Sequence, residues 1–560
     1  MEGAIIISEK KKSYIILSVM ILLQLGILLY YMNIRTALFY DEIWSYGLAN
    51  SYDKAFFYPN GFHFDKKDNF YNNWIDGKEF FNYITVQASE TFAYDKVYEN
   101  QFQDVHPPLY YYILHTICSF MPDSFSRWSG QCLNLVVFIL TQFVLFRLTK
   151  GLFKSSNKAL LLCAFFGFGM GAVNTFIYIR MYALLTFFCV LFAERVFRII
   201  ERDQINTNTA IKLFVTIFLG CLTHNYFLLF LFALSLGILV YCFISKKFKL
   251  ILEYAAVVIL ATSAFYIYFP GILHQASSLR IKEGTIGIGG SFPLENLFAN
   301  FAFISNYTIG INVSDYFALT GKICEAVGNV VDWFPTWLVL LVMILLLVFI
   351  LKKNLKYKNQ IVMGFAIIIY SLVLASYTML TRSGPYSGRY IFNTLPFFCI
   401  IWFSIICGLL YSCISLRKQV KGLIVFAMMI FCVCSHYNSC REWCFDVPPD
   451  REEIAERIRG TNCIFVIDSF SKIFPEPIIH GKALDFMYTK KVFPTRTSDA
   501  PKILNAIKSL NKNEKNIIFL PATIAGKDVL GLIKDKSELK PVYAFEDITN
   551  VCSFYVLRLE

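Results

Sequence analysis

Apolar stretches about as long as a membrane-spanning helix recur along most of the chain. A helix needs about 20 predominantly apolar residues to cross a bilayer. The stretches that meet or approach this length are Tyr14–Met32, Phe125–Phe146, Ala159–Tyr178, Tyr182–Ile199, Thr209–Thr223, Tyr226–Ile244, Leu250–Phe269, Thr336–Leu351, Ile361–Leu380, Ile391–Ile414 and Gly422–His436. Only 16% of the residues are charged, whereas a soluble domain carries about 25%. The sequence therefore predicts an α-helical polytopic membrane protein with about 11 transmembrane helices.

Lys and Arg cluster in the short loops on one side of the predicted helices. The clusters lie at 147–158, 195–202, 246–249, 352–358 and 417–421. Because cytoplasmic loops carry an excess of positive charge, this side is predicted to be the cytoplasm, with the N-terminus there. The net charge of +12 thus follows membrane topology and is not gathered on one face, as nucleic-acid binders require. We expect a multi-pass protein of the plasma membrane that binds no nucleic acid.

Two long segments, 33–124 and 271–335, are predicted on the outer side. Within the first, Leu109–Met121 is apolar but too short to cross the bilayer. Counting it as a span would also place the basic clusters outside, so we predict a helix lying in the membrane interface. The second segment contains a Gly-rich stretch at 284–290, which predicts a flexible loop followed by helices on the membrane surface.

The composition changes from about Cys440 onwards. Short apolar runs typical of buried strands occur at Asn462–Asp468, Asn516–Leu520, Tyr543–Phe545 and Ser553–Leu559. With helical patterns between them, they predict a small α/β domain, which the topology places outside the cell. The sequence thus divides into a membrane domain, 1–438, and an extracytoplasmic α/β domain, 439–560.

Two adjacent carboxylates, Asp41 and Glu42, follow the first predicted span, with Trp44 beside them. A partly desolvated carboxylate at the membrane boundary is suited to act as a general base, because desolvation raises its pKa. An acidic outer loop also holds such residues for structural reasons alone. Position by itself does not separate these two interpretations.

Asp104 and His106 precede the predicted interfacial helix and its Tyr110. The polar pair forms a second group able to carry chemistry. A His beside a helix start is more often a cap or surface residue, and a Tyr at this depth often anchors a protein in the interface. Both interpretations stay open for each residue.

Three short outer turns carry polar residues at separated points of the chain. Arg180 with Tyr182 lies in the first turn, His224 in the second, and Arg389 with Tyr390 in the third. The planar guanidinium of Arg fits a phosphate group, although Arg also reaches lipid headgroups by snorkelling. A converging site for an anionic substrate would produce this distribution.

These elements together resemble a known superfamily. The resemblance is carried by the acidic pair after the first span and, in order, by HPPLYYYILH, IRMYALL and GRYIFNTLPFF. The set is similar to the GT-C integral-membrane glycosyltransferases, above all the branch of protein O-mannosyltransferases and the lipid A aminoarabinose transferase. The acceptor-peptide motif of the oligosaccharyltransferase branch, WWD, is absent from the sequence.

The resemblance implies a polyprenyl-phosphate-linked sugar donor and transfer of a hexosyl or pentosyl group to an acceptor outside the cell, whose identity it leaves open. It implies Asp41 as the catalytic base with Glu42 beside it, and donor-phosphate binding by His106, Arg180 and Arg389. We add Asp104 to the catalytic group. The predicted substrate-binding residues are Trp44, Tyr110, Tyr182, His224 and Tyr390. All are expected to face one extracytoplasmic cavity at the bilayer surface. No cofactor is firmly implied, and a divalent cation is left open.

A transporter or lipid flippase is the main alternative. Transporters keep ionisable residues near the bilayer midplane, whereas the unusual polar residues here gather at the outer ends of the predicted spans. A membrane scaffold for the C-terminal domain is a further alternative, which leaves those polar residues unexplained. The sequence therefore favours a membrane glycosyltransferase.

Overall fold

The computed structural model describes residues 9–35, 38–51, 71–104, 106–272, 294–310, 345, 348–349, 358–377, 385–413, 417–439, 458–467, 486–511, 513–521, 523–536, 541–548 and 553–559. Its helices, in chain order, are α1 Glu9–Ile34, α2 Tyr40–Asn50, α3 Gly77–Ile84, α4 Tyr94–Gln103, α5 Leu109–Ser119, α6 Arg127–Phe153, α7 Ser156–Gly167, α8 Met170–Ile177, α9 Tyr182–Arg202, α10 Thr207–Cys221, α11 Tyr226–Ile244, α12 Phe248–Tyr268, α13 Leu294–Ile309, α14 Lys358–Tyr377, α15 Leu395–Cys413, α16 Lys418–Ser439, α17 Ala500–Lys508 and α18 Ile524–Lys536. Strands β1 to β6 are Ile75–Asp76, Asn462–Ile467, Lys491–Arg496, Asn516–Pro521, Pro541–Ile548 and Ser553–Leu559.

A helix lies at each predicted span except 336–351, most of which is outside the described residues. Within the described part of the chain, 5 helices are long and apolar enough to cross a membrane, and a bent pair brings the number to 6. The predicted fold class, an α-helical multi-pass membrane protein with a small α/β C-terminal domain, is confirmed. The total of about 11 spans stays a prediction.

The contacts divide the chain into two units. The first comprises residues 1–33 and 131–444, and the second comprises 34–130 and 445–560. The first outer segment therefore belongs with the C-terminal region, whereas the sequence had assigned it to the membrane domain. The Gly-rich stretch at 284–290 lies outside the described residues.

In the first unit, α7 and α8 form one span with a bend of 62°. The side-chain amides of Gln24 and Gln142 both donate to the carbonyl of Cys163, at 3.1 and 3.3 Å. A Cβ on Gly167, at the end of α7, would lie 2.2 Å from the Gln142 amide nitrogen. Close packing at this glycine thus accompanies the bend. After α8 comes the first of the predicted outer turns, where the Asn134 side chain of α6 donates to the Tyr178 carbonyl at 2.7 Å.

In the second unit, α2 packs against α3, α4 and α5. Helix α5 has 11 residues and is about 16 Å long, so it is too short to span a bilayer, as predicted. It begins after Pro108, which is the N-cap, so the two prolines precede the first turn and do not lie within it. The Asn100 side chain of α4 donates to the Ser51 carbonyl at the end of α2, at 2.9 Å.

The second unit also contains a mixed sheet with strand order β1-β3-β2-β4-β6-β5. Strand β2 runs parallel to β3 and β4, and β6 runs antiparallel to β4 and β5. Helices α17 and α18 supply Ile503 and Ile533 to a buried core with Ile464 and Ile518 of the central strands. The sequence predicted β2, β4, β5 and β6 but neither β1 nor β3.

Strand β1 comes from the first outer segment and pairs antiparallel with β3, Ile75 opposite Val492. Three neighbouring contacts fix this edge. The Asn72 backbone donates to the Pro494 carbonyl at 2.8 Å, its side chain bonds Thr495 at 2.7 Å, and the Trp74 ring packs 5.3 Å from Phe493. The outer segment thus completes the C-terminal sheet.

Candidate functional site

The predicted acidic pair occupies the first turn of α2. Glu42 is fully buried, and Arg35 contacts both of its carboxylate oxygens, with an Nη1–Oε1 distance of 2.7 Å. The Phe39 backbone N–H donates to Glu42 Oε2 at 2.7 Å. This last bond is the carboxylate half of a capping arrangement, in which a residue in the first turn satisfies the N–H group before the helix.

Arg35 itself is held in place, because Arg127 donates to its backbone carbonyl. Glu42 therefore serves as the anchor of the α2 N-terminus. Its neighbour Asp41 is also buried, 5% exposed, and its backbone carbonyl accepts from Ser45 at 3.2 Å. Both acids of the pair are thus buried in the first turn of α2, and Arg35 contacts Glu42 through both carboxylate oxygens.

Trp44 follows Asp41 by three positions, so the two side chains lie on the same face of α2. The indole is 8% exposed. Tyr46 lies on the face of Glu42, buried, with its hydroxyl accepting from the Gly130 N–H at 3.0 Å. Burial raises the pKa of Tyr46 well above its ordinary value, so this phenol stays protonated and supports the packing of α2.

Asp104 and His106 form a pair between α4 and α5. The His106 Nδ1 lies 2.8 Å from Asp104 Oδ2. Asp104 is also the C-cap of α4, where its backbone N–H donates to the Asn100 carbonyl at 3.1 Å. An ionised carboxylate only accepts hydrogen bonds, so with Asp104 ionised the contact requires a proton on Nδ1 and leaves Nε2 outside the pair. Tyr110, in the first turn of α5, is fully buried.

In the first unit, the three outer turns bring their aromatic rings together. The Tyr182 ring centre lies 5.5 Å from that of His224 and 6.2 Å from that of Tyr390. Tyr226, which the sequence reasoning did not select, lies 6.0 Å from Tyr390 and 4.4 Å from His224. Its backbone N–H donates to His224 Nδ1 at 2.9 Å, which makes Nδ1 the acceptor and orients the imidazole.

The two predicted arginines also lie in these turns, Arg180 in the first and Arg389 in the third. The Arg389 guanidinium carbon is 4.8 Å from the Tyr390 ring centre, and Nη2 donates to the Tyr390 hydroxyl at 3.2 Å. Arg180 is 4% exposed. Tyr178 and Tyr182, two positions before and after Arg180, have stacked rings, with 6.0 Å between the ring centres and an angle of 12° between the ring planes. Arg180 thus lies in sequence between the two members of a stacked tyrosine pair.

The turn with Arg389 is a 3-10 helix, Pro385–Thr394, which packs against α9. A Cβ on Gly388 would lie 3.0 Å from the Tyr307 ring, so a side chain at this position would crowd that ring. Further along, the Asn393 amide donates to the Tyr370 hydroxyl at 2.7 Å. These contacts fix the register of the turn and with it the positions of Arg389 and Tyr390.

The predicted residues thus divide into two groups, one in each unit, which we name the acidic cluster and the cationic cluster. The second unit holds the acidic cluster, Asp41, Glu42, Trp44, Asp104, His106 and Tyr110; the first unit holds the cationic cluster, Arg180, Tyr182, His224, Arg389 and Tyr390. A cavity shared by both stays a prediction. Within the described residues no group of three or more His, Cys, Asp or Glu side chains is placed to hold a metal ion.

The sequence reasoning missed Arg35, Tyr178 and Tyr226. Arg35 carried a signal, since it is a cation at the outer end of the first span, opposite to the basic side. Tyr226 follows His224 by two positions and carried no signal beyond its neighbourhood. The turn geometry that places Tyr178 and Tyr226 in the cationic cluster comes from the structure alone.

No protein-family model matches the chain, and no curated protein matches it. Solved structures are similar over most of its length. ArnT from Cupriavidus metallidurans bound to undecaprenyl phosphate is 9% identical with a TM-score of 0.39, covering 96% of this chain and 97% of that one. The apo state of the same protein is 9% identical with a TM-score of 0.41, and the match covers 86% of this chain and 93% of that one.

The archaeal oligosaccharyltransferase AglB from Archaeoglobus fulgidus, in complex with an inhibitory peptide and a dolichol-phosphate, is 10% identical with a TM-score of 0.46. The match covers 86% of this chain and 64% of that chain. None of these TM-scores reaches 0.5, so the function proposed below rests on the residues of the two clusters.

Proposed function

We propose that the protein is a membrane glycosyltransferase that moves a sugar from a polyprenyl-phosphate donor to an acceptor on the extracytoplasmic side. The observation that carries the proposal is the burial of Asp41, 5% exposed, in the first turn of α2 beside the anchored Glu42. Arg35 binds Glu42 through both oxygens, which fixes the helix start. The adjacent Asp41 is the acid that the sequence resemblance assigns as catalytic base.

In the proposed reaction, Asp41 takes the proton of an acceptor hydroxyl. The acceptor oxygen attacks the anomeric carbon of the donor sugar, and the bond between that carbon and the phosphate oxygen breaks. The polyprenyl phosphate leaves with the electron pair of that bond. Because the donor is already activated by its phosphate, no nucleotide is required at the site.

The leaving phosphate gains negative charge, and preorganised cations stabilise charge that develops in a transition state. We assign this role to Arg180 and Arg389 in the cationic cluster and to His106 in the acidic cluster. Arg is suited to it because its planar fork matches two phosphate oxygens. Asp104 positions His106 through the 2.8 Å contact to Nδ1, and in this role His106 acts as an imidazolium, whose Nε2–H donates to a phosphate oxygen.

The rings of Tyr182, Tyr390 and His224 supply a surface of the kind that sugars and isoprenoid chains contact. Trp44 and Tyr110 are assigned to the same purpose in the acidic cluster. The sugar, hexosyl or pentosyl, and the acceptor are to be defined by experiment. A divalent cation is not used in any step, and its effect is best tested by adding EDTA to the assay.

The test reconstitutes the purified protein with radiolabelled polyprenyl-phosphate sugars and a cell-envelope extract as acceptor source, and it measures release of polyprenyl phosphate. We expect release by the wild type and release slowed by about 10²–10⁴-fold in Asp41→Asn. The matched control is Asp95→Asn, an exposed Asp in the first turn of α4, which should keep full activity. Movement of the intact donor across vesicles without release would instead identify a flippase.

A further inference from the structure

A basic cavity lies at the junction of α9 and α10, in the first unit. Its volume is about 70 Å³, several times the about 10–15 Å³ that one water molecule needs by the same kind of measure. It therefore has room for a group the size of a phosphate. Its cationic lining residues are Arg195, Arg198, Arg202 and Lys212.

The three arginines lie on one face of the last two turns of α9, since their spacings of three and four residues follow the helical repeat. Lys212 reaches the cavity from the second turn of α10. Polar side chains of the connection, including Asn206 and Thr209, complete the lining. Every cation around the cavity thus belongs to a regular helix and not to a free loop.

The cavity carries an excess of positive charge. The buried Glu194 is shared by three guanidinium groups, with contacts of 2.6 Å to Arg147, 3.3 Å to Arg195 and 2.5 Å to Arg198. One carboxylate cannot neutralise three cations. Arg202 and Lys212 are exposed and have no ion pair within the described residues, so they add two further positive charges.

Neighbouring acids are already paired with other cations. Glu201 binds Lys154, and Asp203 binds Lys247 and lies 3.6 Å from Lys358. These acids therefore do not neutralise the excess positive charge of the residues that line the cavity. The start of α10 strengthens it, because a helix N-terminus carries partial positive charge, even though Asn206 caps the Thr209 N–H at 2.9 Å.

The position of the cavity separates it from the two clusters proposed for catalysis. Helix α9 has 21 residues and is about 31 Å long, with Tyr182 at one end and the cavity at the other. The cavity thus lies at the side predicted to be cytoplasmic. Beside Lys212, the side chains of Ile211 and Val215 are 58% and 44% exposed, one helical turn apart, and form an apolar strip suited to an acyl chain.

We propose that this cavity binds the phosphate of an anionic phospholipid, with an acyl chain along Ile211 and Val215. The apolar strip favours a lipid over free phosphate, which would use the cations alone. Basic pockets between transmembrane helices bind anionic headgroups in this way. The proposal is independent of the glycosyltransferase reaction, so Asp41→Asn leaves lipid binding unchanged.

The experiment measures phosphatidylglycerol binding to the purified full-length protein in neutral detergent by native mass spectrometry, with phosphatidylcholine as the reference lipid. The variant is Arg202→Gln with Lys212→Gln, since neither side chain touches Glu194. Each charge near a headgroup changes affinity about fivefold, so we expect a loss of about 30-fold. The conservative pair Arg202→Lys with Lys212→Arg should retain most of the affinity and shows that charge matters.

The control variant, Lys246→Gln with Lys249→Gln, removes two exposed charges, one after the end of α11 and one in the first turn of α12, and should bind as the wild type does. An equal loss in this control, or no loss in the Arg202 and Lys212 variant, overturns the proposal. So does displacement of phosphatidylglycerol by inorganic phosphate at millimolar concentration, because that result assigns the cavity to the free anion.

Discussion

Arg35 and Glu42 form a buried, two-pronged ion pair that fixes the start of α2, with side chains 6% and 0% exposed. Removing one partner leaves the other charge buried, which costs about 3–5 kcal/mol in comparable pairs. We expect Glu42→Gln and Arg35→Met each to lower the free energy of unfolding by that amount. The double variant should lose less than the sum of the two, as a denaturant titration in detergent would show.

The control for this pair is Glu99→Gln, which breaks the exposed contact of Glu99 with Lys96 at 3.3 Å. Exposed pairs contribute about 0–1 kcal/mol, so its free energy of unfolding should barely change. If Glu42→Gln is no more destabilised than Glu99→Gln, the ion pair does not anchor α2.

Asp41→Asn should separate chemistry from stability. A general base contributes about 10²–10⁴-fold to the rate of a reaction, so kcat should fall by that factor. The Asn side chain is nearly isosteric, and the midpoint of thermal unfolding should stay close to that of Asp95→Asn. A kcat within threefold of the wild type would remove Asp41 from the mechanism.

Arg389→Gln should weaken donor binding. A hydrogen bond to a charged group contributes about 1.5–3 kcal/mol, which corresponds to about 10–150-fold in the KM for the polyprenyl-phosphate sugar. Arg389→Lys keeps the charge without the planar fork. Its KM should lie between that of the wild type and that of Arg389→Gln. Arg496→Gln is the matched control, because Arg496 lies over the Tyr71 ring at 4.6 Å in the second unit; its KM should not change.

Gly47→Ala should disturb the packing of α2 on α3. The added Cβ would lie 1.9 Å from the Tyr83 ring, and overpacking of this kind costs about 1–3 kcal/mol. Gly531→Ala, in α18 of the same unit, meets nothing within 4 Å and should be neutral or stabilising, since Ala favours a helix. Equal unfolding free energies for the two variants would contradict the packing described here.

His115, buried in α5 with its ring 5.8 Å from that of Tyr94, predicts a pH dependence. Burial lowers the pKa of His115, against smaller opposing effects from the Ala49 and Glu90 backbones. The unfolded chain therefore binds the proton more tightly than the folded chain. Stability from the neutral ring is present above about pH 6.5, the usual pKa of His, and is lost as the pH falls below it.

The measurement is the free energy of unfolding between pH 8 and 5, for the wild type and for His115→Gln. One proton contributes a slope of at most about 1.4 kcal/mol per pH unit. The variant should be less stable at pH 8 and should show a flatter profile below pH 6.5. A variant with an unchanged slope would assign the acid sensitivity to another group.

The membrane helices were predictable from the sequence because each must carry a long apolar run. Tyr226–Ile244 matches α11 at both ends. The bend between α7 and α8 was not predictable, since one continuous apolar run spans both helices, and the bend depends on packing around Gly167. The turns at Tyr182 and Tyr390 carried recognisable polar residues, but their meeting depends on how α9 and the 3-10 helix pack.

The sheet shows where local patterns fail. Strand β3 contains Pro494, which lies opposite Phe465 of β2, and a proline argues against a strand with neighbours on both sides. Strand β1 has only two residues, too few for any alternation to be visible. In the acidic cluster, the sequence selected the adjacent acids Asp41 and Glu42, but only the structure shows that they begin a helix and that Arg35 holds Glu42.

The pairing of β1 with β3 sets an order of assembly. Asn72 and Asp499, which bond each other beside this pairing, are 427 positions apart in the chain. The ribosome must synthesise the chain as far as Asp499, with all the helices that lie between the two residues, before this edge closes. Contacts between such distant positions form slowly, so β1 has no partner at this edge until β3 has been synthesised.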